Sequence, residues 1–222
     1  MIGVLRRLTG RHPRVATPEG LADFLAARAA FVSQKSSLDY CRARAGLSWA
    51  QLFREDEFGR AMERCRWEAY AAVLADVGEV ALIYLRHRGG CEGPRLASAL
   101  GEVVRAALVR HPVPSHRTGW DDTVEAARVR LHRSLLAPPR PVHRLGRTSG
   151  RRVFEVLPIH TNLKAHDREM VVNNIRFLLC RVYADMEALL DGPALGRALL
   201  TASSDDAPAA APDRAGAPPA PP

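Results

Sequence analysis

What most constrains this chain is a succession of helix-period apolar runs, each closed by proline or glycine. The longest extends from about Glu57 to Arg88 without a proline, and Gly89-Gly90 stops it. At about 100° per residue it puts Phe58, Met62, Cys65, Ala69, Val73 and Val80 on one stripe. The helix before it starts at Thr17-Pro18-Glu19, with Thr17 as N-cap and Pro18 in the first position, and ends near Arg44 ahead of Gly46. Ser48 caps a short element, SWAQLFRE. Pro94 opens another helix to about Arg110, and Asp121 or Asp122 caps one from there to Leu136, stopped by Pro138-Pro139. A last long helix covers about Ala165 to Leu190, and Pro193 starts a short one to Leu200.

Between these, RRVFEVLP carries β-branched and aromatic residues and is limited by Pro158, which predicts one short extended piece. The fold class expected is all-α: an irregular bundle of about five or six helices with one short extended segment and a disordered C-terminal tail. The chain divides into a basic flexible N-terminus over 1–16, a single helical domain over 17–200, and a disordered Ala/Pro-rich tail over 201–222. With 222 residues, 47% of them hydrophobic, there is material for one core and not for a second domain.

Charge is distributed unevenly. Residues 1–16 hold four arginines and no acid, and residues 138–152 hold five arginines and no acid. Since the whole chain carries +8, these two segments account for all of its excess. Arginine outnumbers lysine thirty to two amid abundant Ala, Gly and Pro, the signature of a GC-rich bacterial genome, so arginine content alone signals nothing. The clustering does carry information. In the loop 138–152, Arg140, Arg144, Arg147, Arg151 and Arg152 are candidates for contact with an anionic partner. No aromatic residue interleaves them, so base stacking is not encoded. A protein partner is the first expectation, ahead of nucleic acid or an anionic membrane surface. The longest apolar run, VALIYL, is too short to span a bilayer. Four scattered cysteines without a CxxC pair point to a reducing, cytoplasmic setting and to neither a zinc site nor a disulfide framework.

Several polar residues fall on or beside apolar stripes. Lys35, one of the two lysines, and Asp39 continue the stripe of the first helix, interrupted by Arg28, and are spaced to pair. Asp76 lies between Val73 and Val80 and needs a partner if it is buried. On the last long helix, Asp167, Asn174, Arg181 and Asp185 project as a polar seam beside an apolar face. Met170 and Phe177 make its far side apolar too, so that helix is expected to be central. With His160 upstream, the seam Lys35, Asp39, Asp76, His160, Asp167, Asn174 and Arg181 reads either as structural pairs or as the lining of a polar pocket.

The dipeptide His166-Asp167, with His160 before it and Asp185 or Asp191 after it, resembles the ligand order of metal-dependent HD phosphohydrolases over four residues. The HDREM segment departs from that pattern in lacking the Gly-containing turn that follows the pair. No GxSxG, P-loop, GxGxxG or HExxH motif is present, and the residues name no metal site and no cofactor. The function expected is therefore a non-enzymatic bacterial protein acting by binding, an adaptor or regulator with basic loops for an acidic partner. The alternative is a helical enzyme or small-ligand bundle built on the seam, with phosphohydrolase chemistry as one version.

Overall fold

The computed structural model describes residues 14–205, so the expectations for residues 1–13 and 206–222 lie outside the described residues. Local chemistry sets the first helix. In α1 (Pro18–Ala45) the Thr17 Oγ1 accepts the Gly20 N–H at 3.2 Å, and Gly46 closes the helix with φ 56°. A single turn, α2 (Trp49–Leu52), leads into α3 (Asp56–Tyr84), which passes through a π turn at Leu85–Gly89 before Gly90 ends it at φ 63°. Then come α4 (Pro94–Val109), α5 (Asp121–Leu135), α6 (Arg147–Val156), the one-turn α7 (Thr161–Lys164), α8 (Arg168–Leu189) and α9 (Gly192–Asp205). The all-α expectation holds, and α9 runs five residues past the expected end of the domain.

The central element is α3. From Val73 to Leu85 only Ala75 is not buried, because α1, α4, α5, α6 and α8 all pack around this stretch. The sequence pointed instead to α8. There the side bearing Met170 and Phe177 stays open, Phe177 at 63% exposure, because α1, α3 and α6 cover only the opposite side with Val171, Ile175, Leu178 and Val182. Apolar residues on two faces of a helix do not establish burial on both.

The predicted extended piece is a helix. Residues Arg147–Val156 form α6, which also takes up the second half of the expected basic loop. Its inner face is Ser149, Gly150, Val153 and Phe154, a three-four spacing hidden from a hydrophobic reading because two members are Ser and Gly. Glycine is needed at position 150: a Cβ there would stand 2.9 Å from the Cα of Val172 on α8. The C-terminal end of α6 is closed by Lys164, only 7% exposed, whose Nζ donates to the carbonyls of Phe154 (2.9 Å) and Leu157 (3.0 Å). Burial lowers the pKa of that ammonium, so its place depends on those carbonyls.

Residues 14–16, expected to be part of a flexible arm, are pinned. The Val15 N–H donates to Leu189 O and the Asp191 N–H to Val15 O, both at 2.9 Å. Among the described residues no helix is long and apolar enough to cross a membrane.

Candidate functional site

The helices α3, α5 and α6 meet along a polar seam different from the one the sequence proposed. Asp76, fully buried on α3, accepts a hydrogen bond from the Ser149 hydroxyl of α6 and forms an ion pair with Arg130 of α5. One turn on, Glu79 accepts from Arg130 Nε and from the Ser134 hydroxyl, each at 2.6 Å. Arg130 thus joins two carboxylates that lie on one face of α3, and the five residues pin three helices together. Burial pushes the Asp76 carboxyl up, against the opposing pull of Arg130 and Ser149. The sequence reading that a buried Asp76 requires a partner is met here by Arg130 and Ser149.

Two turns toward the start of α3, Glu68 collects a second set. Its carboxylate, 5% exposed, accepts from Arg117 Nε at 2.6 Å and Nη2 at 3.2 Å, and from Arg152 at 2.7 Å, with His116 Nε2 at 3.1 Å. Burial alone would raise its pKa, but the hydrogen bonds from Arg117 and Arg152, the Arg117 charge and His116 outweigh it and hold the group at about 2. A folded value below the ordinary 4.5 means that ionised Glu68 favours the fold, in full above about pH 4.5 and progressively less as the pH falls toward 2. Asp76 has the opposite sign, since a raised folded value makes its ionisation a cost that grows as the pH rises. We expect Glu68→Gln to lose about 1–3 kcal/mol at pH 7. Urea unfolding should show the gap to wild type closing as the pH approaches 2, and a gap of constant size would contradict this assignment.

Around these two clusters lie two adjoining cavities. One, of about 530 Å³, has a floor of Ala71, Ala72, Ala75 and Ala126 and walls that include Glu68, Arg117, Arg151 and Arg152, with Asp122 and Glu155 also in its lining. The other, of about 340 Å³, is lined by Arg133, Arg140, Arg144 and Arg147 with Glu79 as its one carboxylate. Ala126, Arg130 and Thr148 belong to both. Among the described residues, Arg133, Arg140, Arg144, Arg147 and Arg151 form no ion pair or side-chain hydrogen bond. Gly146, at φ 78°, starts α6 at the second cavity without a side-chain cap on its first N–H groups. No family matches this chain, nor does any curated protein or solved structure. The cleft must therefore be read from its own residues.

The five arginines singled out in the sequence all line this cleft, Arg151 and Arg152 in the first cavity and Arg140, Arg144 and Arg147 in the second. Arg152 is partly committed, to Glu68. The polar seam, by contrast, is dispersed. Lys35 and Asp39 do pair, at 2.9 Å, but on the outside of α1, with the lysine side chain half exposed. Asp167 accepts from Tyr40 and Arg44, holding the start of α8 to the end of α1, and burial, with the hydrogen bond to Asp167 second, pushes Tyr40 up to about 12. Asn174 and Arg181 are exposed on α8, and His160 is exposed at the start of α7, where its Nδ1 accepts the Asn162 N–H at 3.4 Å. None of these residues lines either cavity.

Both downstream acids of the phosphohydrolase-like order have partners elsewhere. Asp185 pairs with Arg28 at 3.2 Å, and Asp191 accepts the Ala194 N–H at the start of α9. Among the described residues no group of three His, Cys, Asp or Glu is placed to hold a metal ion. What the sequence did not single out is Glu68 and Glu79 of α3, Arg130 and Arg133 of α5, Arg117 of the loop before α5, and the buried Lys164. The rarity that singled out Lys35 applied equally to Lys164.

Proposed function

We propose that this chain is a non-enzymatic binding protein, an adaptor or regulator, whose anionic partner is taken up in the cleft between α5 and α6. The observation that supports the reading most is the gathering of Arg133, Arg140, Arg144, Arg147 and Arg151 around two adjoining cavities with no carboxylate spent on them. A guanidinium that is merely surface needs no cavity. Five arranged around two adjoining cavities form a field that concentrates anions and offers forked donors to phosphate or carboxylate oxygens. The cleft walls are fixed by the Asp76–Glu79–Arg130 and Glu68–Arg117–Arg152 clusters, so the free arginines stand on a scaffold whose own charges are already satisfied.

The alternative, catalysis or ligand binding on the seam of Lys35, Asp39, Asp76, His160, Asp167, Asn174 and Arg181, gains no support from their placement, since they share no cavity. The test is charge reversal of Arg140, Arg144 and Arg147, which are exposed and unpaired, so no internal ion pair is lost with them. Retention of an anion by the wild-type protein should weaken from low to high salt and be lost in the reversed variant. Retention that ignores these substitutions would remove the proposal.

A further inference from the structure

We infer that the anion taken by the cleft is a small phosphate ester, with its phosphate among Arg133, Arg140, Arg144 and Arg147 and its flat, uncharged body on the alanine floor of the adjoining cavity. This rests on the reading that the cleft binds anions, and it specifies which. The basic cavity presents four guanidinium groups without carboxylate partners, because its one acid, Glu79, is already taken by Arg130 and Ser134. One forked guanidinium satisfies a lone carboxylate, whereas the oxygens of a phosphate dianion can engage several. The number of unshared donors therefore matches a phosphate.

The adjoining cavity has a different character. Its floor of Ala71, Ala72, Ala75 and Ala126 offers methyl groups only, so it suits an apolar surface. Asp122, 3.0 Å from Arg117, and Glu155, 3.7 Å from Arg152, draw on the charge of those two arginines, so this cavity is a poorer place for a second phosphate, and their remaining lone pairs accept hydrogen bonds from N–H or O–H groups. Arg151, with no partner of its own, offers a planar cation on which a ring can stack. The two cavities adjoin along Ala126, Arg130 and Thr148, the border that a single ligand would cross, and their volumes of about 340 and 530 Å³ fall in the range of small-ligand sites. A phosphate at one end and a neutral heteroaromatic body with N–H donors at the other is the build of a nucleotide. An acidic polypeptide segment would use the arginines but leave the alanine floor empty and bring carboxylates against Asp122 and Glu155.

Calorimetric titration of the full chain with AMP, adenosine, inorganic phosphate and polyglutamate separates these cases. The expected result is AMP binding at least about 10-fold more tightly than phosphate, with adenosine weaker than either. Ala72→Phe, which fills the first cavity, should bring AMP down to the affinity of phosphate and leave phosphate unchanged. Equal binding of AMP and phosphate by the wild-type protein, a comparison that needs no variant, would overturn the inference and leave anion binding standing. So would polyglutamate binding that depends on Arg140, Arg144 and Arg147 without any binding of AMP. If no probe binds, both the inference and the proposed function fall.

Discussion

Arg130→Leu is expected to cost this protein about 3–5 kcal/mol, the largest loss from any single side chain in the cleft, because it strands two buried carboxylates at once. Asp76 is fully buried and Glu79 nearly so, and among the described residues Arg130 is the one cation that meets both. Ser149 and Ser134 would still donate to them, but hydroxyl groups do not neutralise charge. For a chain of this length the loss lowers Tm by roughly 6–20 °C. The deficit should shrink on acidification. Burial already raises the Asp76 pKa, and removing Arg130 takes away a charge that opposes that rise, so the folded variant binds protons more readily than its unfolded chain and gains stability as the pH falls. Urea unfolding at pH 7 and pH 5 measures both effects. Wild-type stability at pH 7, or a deficit that grows on acidification, would show that Arg130 is not the partner of this pair.

The second large effect is expected at a residue without a side chain. Gly150→Val should destabilise the protein by about 1–3 kcal/mol and weaken anion binding, although no charge is altered. A Cβ at this position already stands 2.9 Å from both the Cα and the Cγ2 of Val172, and because one of these is backbone, α6 must move away from α8 to admit valine. Arg147, Arg151 and Arg152 ride on α6, so the arginines of both cavities move with it. Gly59 provides the contrast, since it lies in α3 with nothing near its missing Cβ. Gly59→Ala should gain up to about 1 kcal/mol through helix propensity alone. Equal behaviour of the two glycine variants in chemical unfolding would refute the close contact of α6 with α8.

These two positions show where the sequence was legible. The ends of α1 follow from Thr17, Pro18 and Gly46, whose effects act within a few residues and need no tertiary context. Asp76 was identified as a carboxylate in need of a partner for a similar reason, since its neighbours on the stripe are apolar. Its partners were not legible, because Arg130 and Ser149 lie more than fifty residues away and only the packing of α5 and α6 on α3 brings them in. Separations of 49 and 84 residues likewise hid Glu68 from Arg117 and Arg152. The missed helix α6 has another cause. Its buried face begins with Ser149 and Gly150, which pack as small residues but do not register as hydrophobic, and VFEV alone reads as a strand. The basic cluster was legible as a group because its five arginines are close in sequence. The two adjoining cavities they line were not, since α3 and α5 supply the other walls.

The central claim, that the arginines of the α5–α6 cleft form a specific anion site, is tested most directly by pyrophosphate titration of two charge-matched variants. One reverses Arg140, Arg144 and Arg147 to glutamate. The other reverses Arg60, Arg64 and Arg66, which are equally exposed on α3 and line neither cavity. Both change the net charge by the same amount, so a diffuse effect of overall charge falls on them alike. At physiological salt, where fields decay over about 8 Å, the cleft variant is predicted to lose at least about 10-fold in affinity and the α3 variant less than about 3-fold. Equal losses in the two variants would contradict a site and leave only a basic protein.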